Sequence, residues 1–160
     1  MRILRILGLG VVVLAVVAGG MAVAARFSDG PLAVFPGGAF RSGEWVAAPV
    51  TDWTFATDIE TLEMQLEGGD TSRTVWILVS EGVAYIPCSL GFPPGKSWHL
   101  KAIEDGRAIL RHEGRRYPVS LDRTEDEAVI AALSGAVETK YGAAPPGDGA
   151  WFFALSSRTR

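Results

Sequence analysis

The sequence predicts a mainly β protein of the α+β class, with two flanking helices and one apolar helix at its N-terminus. Three observations lead to this prediction. An uncharged apolar run covers residues 6–25. After residue 50, short β-branched and aromatic segments alternate with Gly-containing turns, as in antiparallel sheets. Residues 96–104 and 124–141 instead place apolar side chains at helical spacing.

The N-terminal run is long enough to cross a membrane. Twenty residues at a rise of about 1.5 Å each span the hydrocarbon core of about 30 Å. Arg2 and Arg5 precede the run, and positive charge tends to stay on the cytoplasmic side. We therefore expect a single-pass protein of the cytoplasmic membrane, held by residues 6–25, with its C-terminal domain extracytoplasmic (periplasmic).

Two alternatives to an uncleaved anchor remain open. Ala22 and Ala24 have the small-x-small spacing of a signal-peptidase site, so the segment also fits a cleaved signal peptide. That alternative places the domain in the same compartment. A buried globular helix is the third interpretation.

We divide the chain into a membrane anchor or signal segment (1–26), a tether (27–50) and a folded domain (51–160). The tether is rich in Gly, Pro and Ser, which break helices and strands. Its aromatic residues Phe35, Phe40 and Trp45 are expected to dock on the domain.

The charge and the cysteine content exclude some classes of function. Beyond residue 26, twelve Arg and Lys residues face eighteen acidic residues, a net charge of about −6. A nucleic-acid partner is excluded because phosphate binding needs a basic face. Cys88 is the single cysteine, so no internal disulfide forms, and we expect it to be a small buried apolar residue.

The first strands of the domain follow from alternation and turns. Leu62, Met64 and Leu66 alternate with polar residues, which predicts a strand with one buried face. Residues 74–79 and 83–86 flank a Gly-containing turn and are predicted to form a hairpin at the centre of the sheet.

A loop and a short helix over 96–104 come next, with Trp98 and Ala102, joined by Leu100 and Ile103, on the apolar side. Residues 107–112 and 115–121 then flank a two-residue turn and predict a second hairpin. Its buried face consists of three alternating side chains: Tyr117, Val119 and Leu121.

The last elements are a helix and a strand. Thr124 and Glu127 have the spacing of a capping box, which predicts a helix that begins there and stops at Gly142. A Pro-Pro-Gly-Asp-Gly loop over 145–149 leads to a final strand at 151–155.

The loop and helix over 89–99 are the main candidate for a binding site. A Gly-containing turn that opens a helix presents free amides to an anion, and Lys96 adds positive charge. Ser89 and Ser97 offer hydroxyl donors, while Trp98 or His99 could stack on a ring or bond to it. An ordinary loop with a capped short helix remains the alternative interpretation.

The order of several motifs resembles a known superfamily. Ser72-Arg73-Thr74, the segment 75–86, Ser89-Leu90-Gly91, Leu100-Lys101-Ala102 and Gly114-Arg115-Arg116-Tyr117 follow one another in this order. The chain thereby resembles, over about residues 69–155, the split-barrel flavin-binding superfamily. It looks most like the deazaflavin-dependent nitroreductases and, more distantly, the pyridoxamine 5'-phosphate oxidase-like proteins.

The resemblance implies a small antiparallel split β-barrel that is often a homodimer and that holds a cofactor phosphate between two segments. Arg73 and Thr74 match the first segment. The second is matched by residues of the loop and short helix: Ser89, Gly91, Lys96, Ser97, Trp98 and His99. The implied function is to bind a flavin-like cofactor for redox chemistry on a small molecule, as in a nitroreductase-like oxidoreductase, with no catalytic residue assigned.

The choice of cofactor stays open between FMN, a deazaflavin and none. Residues 67–70 are acidic where relatives that bind a cofactor are usually basic, which disfavours a long anionic tail. A cofactor-free envelope module that binds a small ligand or protein partner in the same cleft is the alternative. His99 and His112 give no metal-ligand spacing, although His99 with a second ligand could hold haem.

Overall fold

The structure is a computed structural model that describes residues 2–142 and 149–159. Its first element, α1 (Arg2–Phe27), is long and apolar enough to cross a membrane by length and composition. The stretch Gly8–Phe27 has a mean hydropathy of 2.3. Its large apolar side chains are exposed, Leu14 at 70% for example. Apart from its C-terminal end, where Ala25 is buried, the helix exposes its apolar side chains on all sides, as a helix in lipid does. The expected N-terminal apolar helix is therefore present, while its insertion in a membrane and the direction of crossing stay predictions.

Nine strands and two further helices follow in the described residues. The strands are β1 (Gly37–Gly38), β2 (Glu44–Trp45), β3 (Thr61–Leu66), β4 (Thr71–Trp76), β5 (Leu78–Ser80), β6 (Val83–Ser89), β7 (Arg107–His112), β8 (Arg115–Arg123) and β9 (Ala150–Ser157). A short 3-10 helix covers Thr54–Ala56, α2 covers Trp98–Glu104 and α3 covers Glu127–Tyr141. The predicted loop over 145–149 lies outside the described residues except for Gly149.

The strands form one sheet in the order β1-β4-β3-β7-β8-β9-β6-β5, with β2 attached to β8. Every pair is antiparallel apart from the parallel pair of β2 and β8. The mainly β, α+β class is thus confirmed. The hydrogen-bonded ladder of the described residues is not closed, although β4 and β5 are separated only by Ile77 and lie near opposite ends of the path.

The predicted hairpin of residues 74–79 with 83–86 is confirmed only in part. Leu78 and Val79 pair with Tyr85 and Ala84, but residues 74–76 do not, and the hairpin does not lie at the centre of the sheet. The first of these segments breaks at Ile77, so its first part pairs with β3 and its second part with β6, at one end of the sheet. Hydrogen bonds from two side chains of α3 stabilise this break in the strand. The Tyr141 hydroxyl accepts a hydrogen bond from the Ile77 amide at 3.1 Å, and the Lys140 ammonium donates to the Ile77 carbonyl at 3.0 Å. Both backbone groups of Ile77 are therefore satisfied outside the ladder.

The other strand predictions hold. Leu62, Met64 and Leu66 are buried on β3. The second hairpin is confirmed as β7 and β8, joined by Glu113 and Gly114 with positive φ angles of 48° and 74°. The predicted buried face of this hairpin is buried as expected: Tyr117, Val119 and Leu121.

Two apolar cores lie on opposite faces of β9. Phe152 belongs to a small core under α3, and its neighbour Phe153 belongs to the larger core. Adjacent residues of a strand point to opposite faces, so β9 separates the two. Leu133 and Val137 are the buried residues by which α3 closes the small core.

The start of α3 differs from the prediction, whereas its end agrees. The N-cap is Asp126, whose carboxylate accepts hydrogen bonds from the Ala128 and Val129 amides at 2.9 and 3.1 Å. The predicted capping box at Thr124 is wrong because the Thr124 amide bonds to the Phe152 carbonyl at 2.8 Å, which keeps the chain in the sheet. Gly142 ends the helix with a φ of 71°, as predicted.

The segment predicted as a tether is attached to the sheet through β1 and β2. Phe40 is buried, and the Arg111 guanidinium lies 4.3 Å from its ring centroid. Arg111 also pairs with Asp29 at 2.9 Å and with Glu63 at 2.5 Å. This buried ion-pair cluster fixes the chain that follows α1 onto β3 and β7.

Candidate functional site

A cleft of about 420 Å³ lies between the start of β4, the loop before α2, α2 itself and the end of α1. Its lining is basic in a domain that is acidic overall, and none of the described residues that line it is acidic. The lining residues are Arg26, Pro36, Thr71, Arg73, Pro93, Pro94, Gly95, Lys96, Ser97, Trp98 and Lys101. We call this the basic cleft.

Arg73 is the most distinctive residue of the basic cleft. In the ladder it lies opposite Met64, so its side chain starts from the core-facing side of β4. It forms no ion pair within the described part of the chain, and its buried Nε has no hydrogen-bond partner there. Burial lowers the pKa of this guanidinium from its ordinary value. A desolvated cation with an unused donor is costly, and an anion bound beside it would offset that cost.

The Arg73 guanidinium lies 5.8 Å from the ring centroid of Trp98, the first residue of α2. Trp98 is buried and packs against Phe153, with 5.4 Å between the ring centroids. The aromatic floor of the basic cleft is thus continuous with the larger core, which holds it in place.

The side chain of Lys96 bonds back to the loop that precedes it, and this loop forms one wall of the basic cleft. Its ammonium donates to the carbonyl of Ser89 and, at 2.5 Å, to that of Phe92. The Ser89 hydroxyl in turn accepts from the Phe92 amide at 3.2 Å. An ammonium has three N–H donors, so two hold the loop and the third has no acceptor among the described residues.

The structure brings together four of the eight residues predicted from sequence: Arg73, Lys96, Ser97 and Trp98. Thr74 points away on the other face of β4, where its hydroxyl donates to the Ala33 carbonyl at 3.0 Å. Gly91 and Ser89 do not line the cleft, although the Ser89 carbonyl positions Lys96.

His99 is the eighth predicted residue and lies outside the lining of the basic cleft. It is buried with its ring 5.2 Å from that of Trp151 in an edge-on contact. Burial and the nearby Lys96 lower its pKa, which favours the neutral imidazole. Its buried Nδ1 has no partner among the described residues.

Sequence reasoning did not assign Arg26 and Lys101 to the site. Lys101 was visible, because it lies four residues after Ser97 and therefore on the same side of a short helix. Arg26 carried no such signal: its position at the end of a membrane helix gave no reason to place it beside β4 and α2.

Cys88 is buried, as predicted. Burial raises the pKa of its thiol to about 11, against the smaller opposing effects of Lys96 and Arg73. Among residues 2–142 and 149–159, no three His, Cys, Asp or Glu side chains are grouped to hold a metal ion.

Comparison with known proteins identifies no family. No family model matches the chain, and no curated protein has a significantly similar sequence. Among solved structures, the chain is similar to a putative pyridoxamine 5'-phosphate oxidase from Listeria innocua. The match is 10% identical with a TM-score of 0.46, and it covers 62% of this chain and 85% of the other. Similarity at this level transfers neither cofactor nor activity.

Proposed function

We propose that this chain is a single-pass membrane protein whose extracytoplasmic domain binds a flavin-like cofactor in the basic cleft, for redox chemistry on a small molecule. One observation carries the proposal. Arg73 is a desolvated cation without an acidic partner in the described residues, and it faces a cleft that Lys96, Lys101 and Arg26 also line. Anion binding is the function that such a group of cations supports best.

The phosphate of the cofactor has suitable donors. Arg73 lines the cleft and offers the terminal N–H groups of its guanidinium, since its Nε is buried. Lys96 offers an N–H that its two contacts with the loop do not use. Lys101 is exposed on the rim and adds a third charge. FMN, with a single phosphate, fits this set better than a deazaflavin with a long anionic tail, because Asp70 lines the neighbouring cleft and would repel such a tail.

The ring of the cofactor has an apolar surface to lie against. Trp98 and three prolines, Pro36, Pro93 and Pro94, line the same cleft. The cleft volume of about 420 Å³ falls within the range of about 300 to 1,000 Å³ for small-molecule sites. When bound, the flavin supplies the electron transfer, and the chain binds it, orients it and excludes water from one ring face.

A cofactor-free module is the second candidate, and the shape of the cleft favours it. The wall formed by Pro93, Pro94 and Gly95 is exposed, which leaves room for an acidic group of a larger ligand or protein partner. The same cations would then bind a carboxylate instead of a phosphate.

A titration of the full chain in detergent with FMN tests both candidates, with flavin absorbance and fluorescence as readouts. Arg73→Met and Lys96→Met should each weaken binding by about tenfold to a hundredfold, the loss of one charge-assisted hydrogen bond. Arg115→Met is the matched control, because Arg115 is exposed and does not line the basic cleft.

Unchanged FMN affinity in both cleft variants would overturn the site. Absence of FMN binding, with binding of an acidic peptide that requires Arg73, would establish the second candidate.

The orientation has its own test. A reporter enzyme fused to the C-terminus should be active only outside the cytoplasm, because Arg2 and Arg5 hold the N-terminus inside. Activity inside the cytoplasm would reverse the topology.

A further inference from the structure

The surface around the end of α1 combines cations with exposed apolar side chains. Arg26 lies in the last turn of α1, and Arg41 donates from its guanidinium to the Phe27 carbonyl at 2.5 Å. Arg26, Phe27 and Arg41 line a second cleft of about 300 Å³, and Arg26 lines the basic cleft as well. Both clefts therefore open at the place where the helix meets the domain.

The depth of these residues follows from the length of the helix. The headgroup layer of a bilayer is about 5 to 8 Å thick on each side of the hydrocarbon core. One helical turn is about 5.4 Å long, so groups that contact the last turn of a spanning helix lie at the headgroup level. Arg26 and Arg41 meet this condition if α1 spans the membrane, as proposed above.

Exposed apolar loop tips surround the same place. The chain after α1 forms a tight turn in which Leu32 and Phe35 exchange backbone hydrogen bonds of 3.1 and 2.9 Å. Val34, at the tip of this turn, is 87% exposed. Phe27 is 77% exposed, and Phe92, next to the lining residue Pro93, is 59% exposed. The exposure of these apolar side chains to water does not lower the free energy, whereas their burial at a membrane interface does.

The turn at Val34 is tied to the edge of the sheet at β4. The Thr74 hydroxyl donates to the Ala33 carbonyl on the face of β4 opposite Arg73, while Pro36, directly after the turn, lines the basic cleft. Further back, Arg111 binds the Asp29 carboxylate. The segment that carries the apolar tip is therefore fixed to the domain at Asp29, Ala33 and Pro36 and is not a flexible linker.

We propose that this surface, formed by Arg26, Phe27, Val34, Arg41, Phe92 and Lys101, docks on the membrane leaflet from which α1 emerges and binds the headgroups of anionic phospholipids. The apolar tips enter the interface, and the cations contact lipid phosphates. Among the described residues, Asp70 is the one acidic residue that lines either cleft, so cations outnumber acids in these linings. A domain with a net charge of about −6 would otherwise be repelled by an anionic leaflet.

The test uses the full chain in nanodiscs, either of phosphatidylcholine alone or of phosphatidylcholine mixed with phosphatidylglycerol. A nitroxide is attached at Val34→Cys or, as the control position, at Glu138→Cys on the exposed side of α3. Cys88 is buried with a thiol pKa of about 11, so it does not compete for the label at neutral pH. Collision of the label with an aqueous nickel complex is measured by electron paramagnetic resonance.

We expect the label at Val34 to be shielded from nickel relative to the label at Glu138, and more strongly when phosphatidylglycerol is present. Arg41→Gln and Lys101→Gln should each lower the ratio of docked to undocked domain by about fivefold in the mixed nanodiscs. Arg115→Gln removes the same charge from an exposed site that lines neither cleft and should leave the ratio unchanged.

Equal nickel access at Val34 and Glu138 would overturn the docking proposal, as would shielding that depends neither on phosphatidylglycerol nor on the two cations. The outcome is separable from the cofactor proposal, because FMN binding is measured on the same samples through Arg73. A chain that is not retained in nanodiscs would overturn the membrane anchor and the docking surface together.

Discussion

Arg111 and Arg73 lie on the two strands that flank β3, and their surroundings are opposite. Arg111 pairs in the ladder with Glu63 and Arg73 with Met64, so the two side chains start from opposite faces of the sheet. Arg111 is buried against two carboxylates, whereas Arg73 has none within the described residues. The same residue type is thus an internal structural element on one face and an unpaired cation on the other.

The pKa values of the two groups reflect this difference. Burial alone would lower the pKa of Arg111, but hydrogen bonds to Glu63 and Asp29 outweigh it and raise the value. At Arg73 burial prevails, and the pKa is lowered. The comparison teaches that an arginine in this fold is structural where the chain supplies its counter-charge, and is available to a ligand where it does not.

Removal of the paired arginine should have the largest effect. Arg111→Met leaves Asp29 and Glu63 without their counter-charge and should lower the free energy of unfolding by about 3 kcal/mol. Urea unfolding of the full chain in detergent measures this. Arg107→Met is the control, since its exposed pair with Asp105 is screened by water and should contribute far less to the free energy of unfolding. Equal losses in the two variants would contradict the structural role of Arg111.

The pH dependence of the free energy of unfolding should also distinguish Arg111 from Arg73. Burial opposes ionisation of Asp29, but hydrogen bonds from Ser42, Arg41 and Arg111 outweigh it and hold the pKa of this carboxyl below its ordinary value of 3.8. A carboxyl whose pKa is depressed by folding stabilises the protein above that ordinary value and loses its contribution as the pH falls toward the folded-state pKa. The free energy of unfolding should therefore fall less steeply with acidification in Arg111→Met than in the wild type.

The Arg73→Met variant should keep the wild-type slope over the same pH range, because Arg73 contacts no carboxylate of the described residues. Matching slopes in all three proteins would show that Asp29 is not coupled to Arg111.

Removal of the unpaired arginine should change stability in the other direction. Arg73→Met replaces a desolvated cation with an apolar side chain beside Trp98, and the free energy of unfolding should stay equal or rise by about 1 kcal/mol. The measurement is the same urea titration. A loss of more than about 1 kcal/mol would mean that Arg73 has a structural partner after all.

The smallest expected effect is stabilisation by inorganic phosphate. A ligand at a concentration equal to its Kd stabilises the folded state by about 0.4 kcal/mol. The melting temperature of the wild type should rise with phosphate relative to chloride at equal ionic strength, and that of Arg73→Met should not. An equal rise in both proteins would indicate a general salt effect.

The sequence predicted the elements of this fold better than their pairing. Alternation at Leu62, Met64 and Leu66 and the turn at Glu113 and Gly114 are local signals, and both predictions were correct. The break at Ile77 depends on hydrogen bonds to Tyr141, 64 residues away along the chain. No periodicity within the segment 74–79 records such a contact.

At the candidate site too, the residue types could be predicted from the sequence but the directions of the side chains could not. Arg73 and Lys96 were named because charged and Gly-containing motifs are visible in sequence. That Thr74 and His99 point elsewhere depends on which face of β4 and which side of α2 meets the cleft. Arg26 joins the site through tertiary structure alone, because it lies 47 positions before Arg73 in the chain.

The two ends of the sheet have a consequence for self-association. The terminal strands are β1, with two residues, and β5, with three. Such short strands expose few unpaired amides and carbonyls, so a second copy would find little backbone to extend the sheet across a shared edge. A homodimer, which the resemblance implies and which stays a prediction, would then have to form through side chains on a face of the domain. The proposed membrane anchor would restrict such a pair to two copies side by side, with their domains on the same side of the membrane.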